Sequence, residues 1–263
     1  PWAEYRILKH AERVIFTSED ERDGAARSFW MYKVNPAVIP LGIEAPGFLD
    51  EIRADERDRH FPDLRGRRCL LFMSRIHEKK GIDLLMEAML SINGRNKELD
   101  QTGDPYTLVV AGPCENEDYL AKLQELGDRI KGGRPFDSVR WLGMVAGRSK
   151  WALLRGSDAL ALPSHQENFG MVIAEALACG TPVLISDKIN IWRECVESGA
   201  GWAAPDSTEG ASQLLQGWLQ LSEARRKETR ERARLAFETH FDIASNAQRL
   251  FELVESICSG GKP

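Results

Sequence analysis

The sequence lacks the features that mark several classes of protein. No apolar run approaches the roughly 20 residues that a membrane-spanning helix needs. Lys and Arg total 35 against 40 Asp and Glu, a formal net charge of −5, so a general affinity for nucleic acid is not expected. No Cys-x-x-Cys pair occurs, which argues against a zinc site, a disulfide framework and an oxidising compartment. We therefore expect a cytoplasmic protein, with free cysteines at Cys69, Cys114, Cys179, Cys195 and Cys258.

The usual nucleotide-binding signatures are missing too. Neither Gly-x-Gly-x-x-Gly nor a P-loop lysine motif is present. The sequence therefore lacks the main evidence for a dinucleotide-dependent dehydrogenase or a nucleoside triphosphatase. No Asp-x-Asp metal motif occurs in the segments that could bind a nucleotide. The chain opens on Pro1 and Trp2 in the middle of a pattern, without an initiator Met, which suggests a fragment.

From residue 67 onward, short apolar runs alternate with amphipathic stretches. Runs that are apolar at successive positions are typical of strands covered on both faces. Strand–helix alternation at this spacing predicts an α/β fold with a doubly wound parallel sheet, because parallel strands need crossover connections. We predict strands at residues 69–74, 106–112, 139–143, 158–164, 182–187 and 201–204, and helices at 81–92, 116–130, 149–156, 169–178 and 208–221.

The two ends of the chain follow other patterns. Residues 1–43 predict a helix, a strand at 13–17, a second helix capped by Thr17 and Ser18, and a strand at 37–41. Two strands do not make a stable sheet alone, so we expect this segment to pair with something absent. Residues 44–66 are charged and predict a linker with a short helical piece. Residues 222–257 predict helix, with a break near 240–242.

Suggestive residues follow the predicted strands, at the edge where parallel sheets bind ligands. Arg75 and Lys80 flank a loop that leads into a helix and suit a diphosphate, although a solvated basic loop explains them as well. Gly112 either admits a ligand close to the backbone or makes a turn. Val145 follows the third strand and is equally ambiguous.

The strongest candidates follow the fourth strand. Glu167 lies in the loop and Glu175 in the next helix, where an apolar setting makes an unpaired carboxylate costly. The two carboxylates could grip separate hydroxyl-bearing parts of one ligand, and the N–H groups of Asn168, Phe169 and Gly170 could bind an anion between them. Alternatively, Glu167 interacts with a helix dipole and Glu175 forms a surface salt bridge.

The spacing of Glu167 and Glu175 resembles the E-x7-E motif of the retaining glycosyltransferases of family four, which have the GT-B fold. The resemblance covers nearly the whole chain: Ser-Arg…Lys-Gly at 74–81, Ala-Gly-Pro at 111–113, Gly-Met-Val at 143–145, and the blocks at 162–170 and 175–183. It implies that residues 67–235 are a Rossmann-like domain for a nucleotide-sugar donor. Residues 1–43 would be a remnant of the N-terminal domain, joined by the linker at 44–66, and residues 236–263 a C-terminal helix that braces that domain. The rest of the N-terminal domain, with the acceptor site, would be missing.

The same resemblance implies roles for individual residues. Arg75 and Lys80 would bind the diphosphate, Glu167 would contact the donor sugar, and Glu175 would bond the ribose hydroxyls. Asn168, Phe169 and Gly170 would support the sugar and phosphate through their amides, Gly112 would line the nucleotide-sugar site, and Val145 would lie at the base.

Transfer would retain the anomeric configuration and need no metal. The donor would be a UDP-sugar or a GDP-sugar, with UDP favoured because residues 146–148 offer no carboxylate to guanine. The acceptor would be a glycan, a lipid or a small molecule. The resemblance also allows peripheral association with the inner membrane through the absent domain.

Two other functions are compatible with these patterns. One is a nucleotide-sugar-binding module that is inactive without a partner chain; the incomplete N-terminal sheet supports it. The other is a sugar-nucleotide epimerase, which the complete E-x7-E block disfavours. His77 and His165 lie near the predicted site, and we expect them to be loop or packing residues because no partner for catalysis is identifiable.

Overall fold

A computed structural model describes residues 2–28, 33–53, 55–95 and 104–259. The first of these form a small unit with two parallel strands in register from Val14 opposite Pro36. As predicted, a hydroxyl caps the second helix: Ser18 Oγ accepts the Glu21 N–H at 3.1 Å. The elements are α1 (Trp2–His10), β1 (Val14–Phe16), α2 (Glu19–Ser28) and β2 (Pro36–Val38).

The predicted linker packs against the larger unit that follows it. Leu49, Ile52 and Leu64 are buried in the main core. The short helix α3 (Glu56–His60) supplies Arg57, whose guanidinium donates to the Gly156 carbonyl at 2.6 Å. The expected helical piece is therefore present, and contacts with the main core hold this charged segment in place.

The main unit is a six-stranded parallel sheet in the order β5-β4-β3-β6-β7-β8, with helices between successive strands. This is the strand order of doubly wound folds: along the chain, strands are added to one side of β3 up to β5 and to the other side from β6 onward. The strands are β3 (Arg68–Met73), β4 (Tyr106–Ala111), β5 (Phe136–Gly143), β6 (Ala159–Leu162), β7 (Val183–Ser186) and β8 (Gly201–Ala204). The helices are α4 (Ile82–Arg95), α5 (Glu117–Ile130), α6 (Gly147–Gly156), α7 (Met171–Ala178), α8 (Trp192–Glu197) and α9 (Thr208–Leu219).

The extent of burial explains which strands and helices the sequence predicts accurately. All residues of β4, β6 and β7 are buried, as continuous apolar runs predict. The edge strand β5 is only half-buried, and the polar Asp137 and Ser138 separate its first residue, Phe136, from the apolar run, which hides its beginning from the sequence pattern. Helix α8 was not predicted, because its six residues are too few to show a helical period. The parallel α/β fold itself is confirmed.

The C-terminal segment is helical, as predicted, with its break near residue 240. Helix α10 (Glu223–Ala236) runs into a π-helical turn at Phe237–Phe241, and α11 (Ile243–Cys258) follows. Backbone bonds join this junction to Ile43, the residue just before the linker: the Ile43 N–H donates to the Phe241 carbonyl at 2.9 Å, and the Ile243 N–H donates to the Ile43 carbonyl at 3.2 Å. Helix α11 has exposed apolar side chains: Ile243, Leu250, Phe251, Val254 and Ile257. No helix in the described ranges is long and apolar enough to cross a bilayer.

Candidate functional site

Two adjoining cavities lie at the carboxyl edge of the sheet, beside the point where strand order reverses. The first, of about 270 Å³, is the apolar-walled cavity, with Met73, Met144, Val145 and Met171 among its lining residues. The second, of about 340 Å³, is the charged cavity. Arg75 lines both. Open parallel sheets bind ligands at this edge. Gly112, Lys150 and Glu175 also line the first cavity, and Lys79, Lys80, Glu167 and Asn168 line the second.

Lys80 and Glu167 form an ion pair within the charged cavity. The ammonium contacts the carboxylate directly, and the two side chains are 14% and 24% exposed. Lys80 ends a short 3₁₀ turn after β3, while the Glu167 backbone bonds to the loop after β7, donating to the Lys188 carbonyl and accepting from the Asn190 N–H. The structure thus brings together two predicted residues that lie far apart in the sequence.

Glu175 lies on α7 and faces the apolar-walled cavity. Its side chain is 15% exposed, and Lys150 Nζ lies 2.6 Å from its Oε1. This pair compensates the cost of a carboxylate among apolar neighbours. Lys150 was not singled out from the sequence. Its pairing with a residue on another helix leaves no sequence signal beyond a lysine in the first turn of α6.

Arg75 is exposed at the junction of the two cavities. Within the described parts of the chain it forms no ion pair, and its guanidinium is free to meet an anion that spans both cavities. The other arginine near the site points away: Arg148 Nε lies 2.5 Å from Glu56 Oε1, and this hydrogen bond lowers the pKa of the Glu56 carboxyl. Arg148 therefore joins α6 to the linker and does not line either cavity.

The turn from Asn168 to Gly170 leads into α7. Gly170 has φ +71°, a conformation that favours glycine, and an added Cβ would come 2.9 Å from Ile173 Cδ1. No acceptor in the described chain takes the backbone N–H groups of Asn168, Phe169 or Gly170. The Phe169 side chain is buried edge-on against Phe241, with ring centroids 5.7 Å apart, so only its backbone can serve a ligand.

Gly112 lines the apolar-walled cavity, but a contact within the protein explains why this residue must be a glycine. Its φ is +146°, and a Cβ there would lie 1.8 Å from the Ser74 carbonyl oxygen. The backbone of Gly112 therefore lies close to the loop after β3, which includes Arg75. Val145 also lines this cavity, beyond the end of β5.

The two histidines near the site make local contacts. His77 Nδ1 accepts the Lys79 N–H at 3.1 Å and so caps the 3₁₀ turn. His165 Nδ1 lies 2.9 Å from Asp206 Oδ2.

Behind α7, burial raises the pKa of the Cys179 thiol to about 12, which keeps the thiol protonated. Across the described residues, no group of three or more His, Cys, Asp or Glu could hold a metal ion.

The chain matches the family model described as glycosyl transferases group 1 over residues 55–236. It belongs to that family. A D-inositol 3-phosphate glycosyltransferase of Actinosynnema mirum is 32% identical over 184 residues, which are 69% of this chain and 42% of that protein. The chain thus spans about two fifths of the length of that relative. The resemblance to a glycosyltransferase family noted in the sequence is confirmed.

Solved structures share the fold. Sucrose-phosphate synthase from Thermosynechococcus elongatus superposes with a TM-score of 0.75 at 22% identity, over 99% of this chain and 62% of that one. HepE from Anabaena, solved in complex with UDP and glucose, gives a TM-score of 0.71 at 18% identity, over 97% of this chain and 66% of that one. The Rossmann-like, GT-B type of fold predicted from the sequence is therefore confirmed.

Proposed function

We propose that this chain binds a nucleotide-diphosphate-sugar and supplies the donor site of a retaining glycosyltransferase. The observation that carries the proposal is the pair of adjoining cavities joined at Arg75, one walled by apolar side chains and the other lined by cations. A nucleoside fits the first and a sugar diphosphate the second. Membership of the glycosyl transferases group 1 family supports the reaction class.

In this proposal each cavity binds one part of the donor. The base lies against Val145 and the methionines, and Glu175 accepts hydrogen bonds from the ribose. Arg75 and Lys80 neutralise the diphosphate, and their charge stabilises the negative charge that grows as the sugar–phosphate bond breaks. Glu167 contacts the donor sugar, together with the free N–H groups of the turn at Asn168 and Gly170. Protein cations take the role that a divalent metal has in other transferases.

Transfer would proceed on one face of the sugar. The acceptor hydroxyl attacks the anomeric carbon from the side on which the diphosphate leaves, and the leaving phosphate takes the hydroxyl proton. The configuration is then retained, and no side-chain base is needed. The roles of His77 and His165 as local capping and pairing residues are compatible with this scheme.

We further propose that an N-terminal domain completes the enzyme and carries the site for a glycan, lipid or small-molecule acceptor. The exposed apolar side chains of α11, with Phe251 57% and Val254 47% exposed, would pack against that domain. Isolated, this chain would act as a nucleotide-sugar-binding module.

Thermal unfolding in the presence of nucleotide-sugars tests the donor proposal. UDP-glucose, GDP-mannose and free glucose are compared at millimolar concentration. We expect a rise in Tm with one of the nucleotide-sugars, none with glucose, and loss of the rise in Lys80→Met. Equal stabilisation of Lys80→Met and the unsubstituted chain, or none with either nucleotide-sugar, would refute the assignment.

A further inference from the structure

Lys150 lies where the nucleotide of the proposed donor would bind. It is in the first turn of α6 and lines the apolar-walled cavity. Its ammonium pairs with Glu175 on α7, and its side chain is 25% exposed. The geometry points to Lys150 as a positioning residue that orients the Glu175 carboxylate for the ribose hydroxyls. This inference rests on the proposed nucleotide-sugar site and extends it.

The two carboxylate oxygens of Glu175 differ in their surroundings. Oε1 accepts a hydrogen bond from Lys150 Nζ at 2.6 Å, whereas Oε2 has no partner within the described residues and is not buried. A carboxylate held by one oxygen keeps the other available as an acceptor at a fixed position. Ribose offers two adjacent hydroxyl donors, which suit such a fixed acceptor.

Within the described residues, Lys150 is the side chain that hydrogen-bonds to the Glu175 carboxylate. The α7 residues three or four positions away, Met171, Val172 and Ala178, have apolar side chains that cannot hold it. Without the ammonium, a carboxylate in this setting would turn toward solvent to regain hydration. Lys150 therefore determines where the free oxygen lies.

Arg148 provides a matched comparison on the same helix. It lies two residues before Lys150 and also pairs with a glutamate, but its partner is Glu56, and neither residue lines the cavity. Arg148→Met and Lys150→Met remove the same charge from the same helix. Only Lys150→Met removes the contact with Glu175. Comparing the two variants therefore separates the effect of losing that contact from the effect of losing one positive charge.

The test measures how strongly the chain distinguishes ribose from deoxyribose. Calorimetry gives the Kd of UDP and of 2′,3′-dideoxy-UDP, and of the matching guanosine pair, for the unsubstituted chain and each variant. We expect the Kd of the unsubstituted chain to be at least about tenfold lower for the ribonucleotide than for the dideoxynucleotide. A difference of this size corresponds to one hydrogen bond to a charged group. Lys150→Met should reduce this preference to within about twofold, Lys150→Arg should retain most of it, and Arg148→Met should leave it unchanged.

A double-variant cycle completes the test. If Lys150 acts through Glu175, adding Lys150→Met to Glu175→Gln should cause no further loss of ribose preference. Equal weakening of the ribonucleotide and dideoxynucleotide by Lys150→Met would overturn the inference, as would an unchanged preference. If the unsubstituted chain binds neither UDP nor GDP, the proposed function itself fails. If it binds them without ribose preference, only the roles of Glu175 and Lys150 fail.

Discussion

Lys80 and Glu167 neutralise each other in the charged cavity, yet the proposed reaction needs the cation for the diphosphate. The pair is only slightly exposed, so the charge of Lys80 is poorly screened by water and depends on a nearby anion. A diphosphate can supply that anion in place of the carboxylate. Nucleotide binding and the Lys80–Glu167 contact should therefore be coupled.

Glu167→Gln tests this coupling. The substitution keeps the shape of the side chain but leaves the partly buried Lys80 without its counter-charge, so the free protein should lose roughly 1–3 kcal/mol of stability. UDP restores an anion, and its affinity should increase about threefold or more. Chemical denaturation and calorimetry measure the two effects, with Glu78→Gln on the same loop as the control. A weaker affinity for UDP in Glu167→Gln would show that the two anions do not compete for Lys80.

At the scale of elements, the loops after β3 and β4 are held together by a close backbone approach. Gly112 lies so near the Ser74 carbonyl that no side chain can be accommodated. Gly143, at the end of β5, has a φ of +64° but open space around its missing Cβ. The first glycine is required by packing as well as by backbone conformation, and the second by conformation alone.

Alanine substitutions at these two glycines should differ in their cost. Gly143→Ala should lose roughly 1–2 kcal/mol, the cost of a left-handed conformation for a residue with a Cβ. Gly112→Ala should lose about 3 kcal/mol or more and weaken nucleotide binding, because the loop that carries Arg75 must move. Urea denaturation gives the free energies of unfolding. Equal losses in the two variants would rule out the steric argument.

Helices α2 and α8 meet through charged side chains. Arg193 of α8 pairs with Asp20 of α2 at 2.8 Å. The next residue, Glu194, has a buried Oε2 with no partner within the described residues. Burial raises the pKa of this carboxyl, and the nearby Asp20 raises it further. The interface is therefore more stable when Glu194 is protonated.

Glu194→Gln should stabilise the chain at neutral pH but not in acid. The pKa of Glu194 is raised in the folded state. Its contribution to the free energy of unfolding is therefore fully present below the unfolded-state pKa of about 4.5, and it is lost as pH rises through the folded-state pKa. The gain at pH 7.5 should be roughly 1 kcal/mol, limited by partial solvent screening. It should vanish below pH 4.5, and Glu197→Gln on the exposed side of α8 should give a smaller gain, because Glu197 only adds to the negative charge around Glu194. A pH-independent gain would contradict the assignment.

The sequence predicted elements well where burial alone determines them. The runs that became β4, β6 and β7 are apolar throughout because both faces of the sheet are covered, and no tertiary information was needed. The edge strand β5 and the short helix α8 carry weaker patterns. The site was predictable in part: spacing and resemblance placed Glu167 and Glu175. The pairing of Glu175 with Lys150 depends on how α6 packs beside α7, which no local pattern encodes.

For the whole molecule, the proposed function separates donor binding by this chain from transfer to an acceptor. The two cavities lie within the described parts of this chain, and the proposed acceptor site lies on an N-terminal domain. We expect the isolated chain to bind the donor without glycosylating an acceptor. A radiolabelled UDP-sugar or GDP-sugar, with a panel of glycan, lipid and polyol acceptors, would measure this. Robust transfer by the isolated chain would contradict the proposed division between domains.

Nucleotide binding at the carboxyl edge of the sheet is the central claim. Calorimetric titration of UDP and GDP into the unsubstituted chain and into Glu175→Ala tests it most directly. We predict that one of the two nucleotides binds the unsubstituted chain with a Kd of about 1 mM or lower and binds Glu175→Ala at least about tenfold more weakly. Failure of both nucleotides to bind at millimolar concentration would contradict the claim, whereas equal binding by the two proteins would contradict only the role of Glu175.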